Sequence, residues 1–308
     1  MTTQTQPLAA TGIPAKAPTA VASAGPVGDR GAIWRRRIAY VILIGYALLM
    51  FVPFAWSVIT SFKTLPDSVR LTIVPDPITL KGWQDAFTLL SPPLAQLFFN
   101  SFLIAIIVTI TNVVLGSMAG YAFARLRFPG REVLFLIVLA TLMIPDQLRL
   151  IPVYLILNGI GFTRGDLQYA GVILVLAISG TSIFLLRQYF LSIPRDLEEA
   201  AKIDGAGFFT IFARVMAPLA GPAIAAVAIL QFQGTWNGFF WPVVILQDQQ
   251  HWTLPLGLNG IYHLSGGFGA NWPPFMALVV AATIPILLLY LFFQRYFVEG
   301  IAASGVKG

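Results

Sequence analysis

The chain has 308 residues, of which 57% are hydrophobic and only 10% charged, and its net charge is +6. Soluble domains carry about 25% charged residues, so the composition excludes an ordinary soluble protein and points to an integral membrane protein. The absence of cysteine excludes disulfides and thiolate metal sites. His251 and His263 lie twelve apart in a Gly-rich stretch, a poor spacing for metal ligands, and neither metal nor cofactor is expected.

Residues 1–32 are rich in Ala, Thr, Pro and Gly and read as a disordered tail without the apolar core of a signal peptide. Arg35, Arg36 and Arg37 precede a first span over 38–61, whose 24 residues cover about 36 Å as a helix. Residues 62–96 are polar and Pro-containing and form a loop. A second span over 97–124 carries Gly116 and Gly120 in a GxxxG spacing, which either lets two helices approach closely or is a chance pair. After the basic turn 125–131, a third span covers 133–157, with Pro145 and Pro152 expected to kink or break its outer end. A fourth span covers 167–190.

Residues 191–218 then form a charged island that reads as two amphipathic helices joined by a glycine turn. Pro194 suits a helix start and Gly205 a stop. Leu197, Ala200 and Ala201 fall on one helical face, and Phe208, Ile211, Phe212 and Val215 on another. Glu198 and Lys202 stand in the favourable i,i+4 order. Such a hairpin either merely connects two helices or presents its charged tips to a partner. A fifth span over 219–246 is interrupted by Gly234 and Gly238, a Gly/Trp/His-rich loop covers 247–274, and a sixth span covers 275–293.

Six spans place both termini on one side. That side then holds 14 of the 19 Lys and Arg residues, whereas acidic residues divide 7 to 6. The positive-inside rule makes it the cytoplasm, and puts the 191–218 hairpin there. The charge balance is thereby assigned to the membrane rather than to nucleic acid. The expected architecture is all-α: a polytopic membrane protein with six transmembrane helices.

No P-loop, HExxH, GxSxG or catalytic carboxylate pair is present, so no enzyme activity is expected, a membrane-embedded enzyme being the weakest reading. The span cores carry no ionisable residue, which disfavours ion-coupled transport and favours an energy source on another subunit. Asp146 and Arg149 come nearest, at the outer end of the third span. In the fifth span, Gln233, Trp236, Asn237 and Phe240 are spaced to share a face suited to a hydroxyl-rich solute, through amide hydrogen bonds and ring stacking. Asn112 and Gln188 are further candidates for that pathway, and the alternative for all of these residues is hydrogen bonding to neighbouring helices.

The hairpin also resembles the cytoplasmic loop motif of binding-protein-dependent ABC importer permeases: Glu199, Ala200, Ala201, Gly205 and Pro218 match it, Val215 replaces Ile and Ala217 replaces Leu. Asn100-Ser101, 119–125, 128–131, 187–190, Ile193-Pro194, 236–239, 253–258, 294–300 and 306–308 look like the shorter, six-span subunit of maltose-transporter-type carbohydrate permeases, with Gly238 where many relatives have Asp. The resemblance covers about residues 35–308. It implies a sugar or polyol cargo and a docking role for Glu199, Ala200, Ala201, Asp204, Gly205 and Pro218 as a coupling-helix hairpin. It also implies a second homologous permease subunit, ABC ATPase subunits and an extracytoplasmic solute-binding protein. Leu264-Ser265-Gly266-Gly267 opens like an ABC-ATPase signature but lies in a loop with no nucleotide-binding domain around it. A passive polar-solute channel or secondary transporter is the alternative.

Overall fold

Helix breaks set the pattern of this molecule. The computed structural model describes residues 30–88, 92–264 and 272–305, and among them there is no strand. The 1–29 part of the expected tail, the Ser265-Gly266-Gly267 sequence and residues 306–308 lie outside the described residues.

Helix α1 spans Arg30–Ser61 and so begins before the Arg35–Arg37 cluster, not after it. Arg36 folds back on Tyr40, donating to its hydroxyl at 3.3 Å. The loop after α1 holds two short helices, α2 (Leu65–Ser68) and α3 (Lys81–Thr88). It is organised around a fully buried lysine. Lys63 Nζ donates to Thr72 O at 2.6 Å and to Thr72 Oγ1 at 3.1 Å, and lies 4.7 Å from the Trp56 ring centroid. Thr72 in turn donates to the buried Asp67 at 3.0 Å.

Helix α4 (Leu94–Arg125) is the central post, unbroken over 32 residues. Its Gly116 and Gly120 face helix α8 (Gly180–Ser192). A β-carbon on Gly120 would stand 3.0 Å from Leu186 Cβ, and one on Gly116 3.1 Å from Ser182 Cβ. The small pair therefore serves close helix approach.

The third, fourth and fifth spans are not single rods. Helix α5 (Arg131–Met143) meets α6 (Asp146–Gly159) at 103°, where Ile144 is extended ahead of Pro145. Pro152, by contrast, is accommodated inside α6. Helix α7 (Leu167–Leu176) meets α8 at 44°. Helices α9 (Asp196–Ile203), α10 (Phe208–Ile211) and α11 (Ala217–Leu219) lead, with a bend of 78°, into α12 (Gly221–Trp236). The stop of α12 corrects the expected fifth span: Gly234 lies inside the helix, and the chain breaks at 237–239 before α13 (Phe240–Ile245). Helix α14 (Leu254–Leu264) and α15 (Trp272–Gly305) complete the chain. Among the described residues, three helices are long and apolar enough to cross a membrane, and up to six segments are if each bent pair is one span.

A broken helix in lipid must re-satisfy its freed backbone groups. Asn112, fully buried on α4, does this for the α7–α8 break, donating to Leu176 O at 2.7 Å. Its Oδ1 accepts from Ser182 at 3.1 Å, and Ser182 accepts from Gln231 of α12 at 2.9 Å.

Candidate functional site

The 191–218 hairpin is built by local rules. Asp196, Glu198 and Glu199 occupy the first turn of α9 and Lys202 the last, matching the helix dipole at both ends. Asp204 caps the helix and Gly205 stops it at φ 81°. Ala206 N–H reaches Ala201 O at 2.9 Å and Gly205 N–H reaches Lys202 O at 3.0 Å, the paired bonds of a left-handed glycine stop. Space around Gly205 is open, so conformation alone selects glycine there.

The second arm runs through α10 into a π-helical turn, Phe212–Met216. Ala217 N–H bonds to Phe212 O, five residues back. Pro218 follows, with no N–H for an ordinary helical bond. Pro218 itself is exposed.

The faces of the hairpin differ from those read off the sequence. Ala201, Ile211, Phe212 and Met216 turn inward, onto a cluster with Tyr121, Leu186 and Phe190. The Phe212 ring lies 5.3 Å from that of Tyr121. Leu197, Ala200 and Phe208, assigned to those same buried faces, are instead exposed. Ile203 is 86% exposed, Phe209 78% and Phe208 64%. Glu199, Ala200, Asp204 and Gly205 share this exposure. The hairpin thus ends in an uncovered apolar tip rather than a merely charged one.

Glu198 also departs from its expected partner. It turns from Lys202 to Arg125, the last residue of α4, with Oε1 3.1 Å from Nε and both side chains almost fully buried. Arg125 Nη2 further donates to the carbonyls of Phe190 and Ile193 at the end of α8. One guanidinium thereby ties α4, α8 and α9 together.

The fifth-span residues do not form the single face that their spacing implies: α12 ends at Trp236, before Asn237 and Phe240, and within it Gln233 is exposed whereas Trp236 is buried. The Trp236 ring is 2% exposed, lies 4.6 Å from Phe102, and donates to Ala282 O at 3.0 Å. Gln233 and Asn237 are exposed. Phe240 is half-buried, edge-on to Trp241 at 5.3 Å. Asn112 is sealed among α4, α8 and α12 as described above.

The N-terminal part of α4 carries a polar clasp that no single residue reveals. Asn100 donates to Gln250 O and Trp252 O, both at 2.9 Å, and accepts from Tyr169 at 2.7 Å. Ser101 accepts from Leu254 N–H at 2.7 Å. Buried His251 stands between Asp166, at 3.0 Å, and Asp248, at 3.2 Å. The Asn100-Ser101 pair was visible in the sequence, but its partners lie 69 to 153 residues away. No group of side chains among the described residues forms a metal site.

Comparison with known proteins agrees with this architecture. Residues 112–302 match the family described as "Binding-protein-dependent transport system inner membrane component". The arabinooligosaccharides transport system permease protein AraQ of Halalkalibacterium halodurans is 35% identical over 277 residues, covering 88% of this chain and 97% of that protein. The diacetylchitobiose uptake system permease protein NgcG of Streptomyces coelicolor is 34% identical, covering 84% of each. A chain of a bacterial ABC transporter involved in import of the acidic polysaccharide alginate superposes with a TM-score of 0.74 at 24% identity, over 89% of this chain and all of that one.

Proposed function

Because the chain belongs to the family of binding-protein-dependent transport system inner membrane components, we propose that it is an oligosaccharide permease whose 191–218 hairpin couples it to ATPase subunits. It is a multi-pass inner-membrane protein and a transport subunit rather than an enzyme. The observation that carries the coupling role is the exposed apolar tip, Leu197, Ile203, Phe208 and Phe209, on a hairpin anchored by a buried ion pair. Exposed apolar residues clustered on a rigid mount are the signature of a docking surface.

In this reading six spans cross the membrane, with both termini and the hairpin cytoplasmic. ATP-driven closure of two ATPase subunits moves the tip, with Glu199, Ala200, Ala201, Asp204, Gly205 and Pro218 forming the docked hairpin. Arg125 passes the motion to α4 and α8 through Glu198 and the carbonyls of Phe190 and Ile193. A second, homologous permease subunit completes the path, and an extracytoplasmic solute-binding protein delivers the cargo at the other end. The apolar exposure along α1 fits lipid or a partner's helix.

An oligosaccharide cargo is supported by the names of AraQ and NgcG. Gln233 and Asn237 offer exposed amides beside the α12 break, where sugar hydroxyls would exchange water for amide hydrogen bonds. Trp236 and Phe240 flank that break, and Asn112 braces the α7–α8 break and, through Ser182, Gln231 of α12. The test is uptake by proteoliposomes containing the permease pair, ATPases and binding protein. Sugar should accumulate only with ATP and binding protein present. Uptake driven by an ion gradient without ATP would replace this reading with a secondary transporter.

A further inference from the structure

Beside the hairpin lies a cleft of about 580 Å³ whose walls include Arg125, Arg127, Arg131, Arg195 and Lys202 against only Glu198 and Glu199. The Arg125–Glu198 pair neutralises itself. A second cleft, of about 570 Å³, is lined again by Arg127, Arg131 and Arg195, and also by Glu132 and Val133. Glu132 is shared between Arg131, at 2.6 Å, and Arg187, at 3.6 Å. Cationic charge therefore exceeds anionic charge across both clefts.

Two observations give this excess a specific partner. Gly130 opens the 13-residue helix α5 with no side-chain cap, and the first turn of that helix lines the second cleft, adding partial positive charge. Immediately beyond the cations, Val133, Leu134, Leu136 and Ile137 of α5 are all exposed apolar residues. Arg127 stands on the α4–α5 turn and Arg131 opens α5, and Phe208 of the hairpin tip shares the wall of the first cleft with them. A cationic notch that gives directly onto an apolar helix face matches a molecule with an anionic head and hydrocarbon tails.

We infer that the notch formed by Arg127, Arg131 and Arg195 binds the phosphodiester headgroup of an anionic phospholipid, with the acyl chains along α5. This rests on the proposed cytoplasmic placement of the 125–131 turn. Arg195 begins the coupling hairpin, so a bound headgroup would brace the hairpin against the bilayer surface.

The test uses the complete transporter, with wild-type or Arg127→Gln/Arg131→Gln permease. Native mass spectrometry reads the phosphatidylglycerol retained after purification. ATP hydrolysis stimulated by loaded binding protein is then read in vesicles of phosphatidylethanolamine alone, and of three parts phosphatidylethanolamine to one part phosphatidylglycerol. Wild type should retain the lipid and be several-fold more active in the mixed vesicles. The double variant should retain it about thirtyfold less, each basic group near the surface contributing about fivefold, and should not distinguish the vesicles. Arg127→Gln alone, at an exposed position, should show the intermediate effect if the double variant assembles poorly. Equal lipid retention by wild type and variants overturns the inference. Loss of ATPase subunits from the variant with lipid retention unchanged also overturns it, and assigns the notch to a protein contact. Absence of stimulated hydrolysis in wild type in both vesicles counts against the importer reading, while the lipid measurement still decides the notch.

Discussion

Arg125 and Glu198 meet at 3.1 Å, 73 residues apart in sequence and both nearly sealed from solvent. The pair joins the foot of the longest buried helix to the first turn of the hairpin. Removing one partner leaves the other charge buried and unpaired, which costs about 3 to 5 kcal/mol. Glu198→Leu should therefore lower the unfolding temperature of the purified permease and abolish stimulated ATP hydrolysis. In the Arg125→Leu/Glu198→Leu double variant the two losses should not add, although the Phe190 and Ile193 carbonyls lose their donor. Strict additivity in a double-mutant cycle would show that the pair does no joint work.

Gly205 carries φ 81° with no neighbour within 4 Å of a β-carbon. A β-carbon there costs about 1 to 2 kcal/mol by conformation alone, and Asn tolerates the geometry best. Gly205→Asn should keep most stimulated ATPase activity, whereas Gly205→Val should lose it while still inserting into the membrane. Full coupling in Gly205→Val would remove the role assigned to the turn.

The tip residues Ile203 and Phe209 contribute little to this chain's own core. Ile203→Ser/Phe209→Ser should leave the melting temperature of the isolated permease within experimental scatter. Retention of ATPase subunits through purification should fall at least about tenfold, the loss expected when an apolar docking anchor is removed. Normal co-purification would place the contact elsewhere.

Trp236 and Asn237 are adjacent but should respond differently. Trp236→Ala removes a packed ring and its bond to Ala282 O, costing about 3 to 5 kcal/mol and reducing assembly. Gln233→Ala/Asn237→Ala should assemble normally and transport sugar poorly. Unchanged uptake by that double variant would take both amides out of the path.

Much of this was legible from the residues themselves. Composition gave the membrane class, and Gly205 announced its own conformation. The GxxxG pair was readable as a close-approach surface, though not which helix it met. What escaped was long-range. Glu198 has a plausible partner four residues on, but burial of Arg125 makes the distant pair the stronger one. Trp236 looked solute-facing because helical spacing does not say which helices pack on either side of a face, and α4 and α15 close over this ring. Pro145 forecast a break, yet a bend of 103° depends on what the next helix packs against. The Asn100 clasp joins elements 69 to 152 residues apart, which no local pattern encodes.

The Asn112–Ser182–Gln231 chain of hydrogen bonds has a mechanical consequence. In hydrocarbon no water stands ready to replace a bond that opens, so parting α12 from α4 or α8 would strand amides and a hydroxyl at a cost of several kcal/mol. The glycine seam between α4 and α8 likewise leaves no clearance for sliding. In the proposed coupling, these three helices would turn as one lever with the hairpin as its handle, and the slack for a cargo would fall at the bends: Ile144-Pro145 on one side, and residues 237–239 on the other.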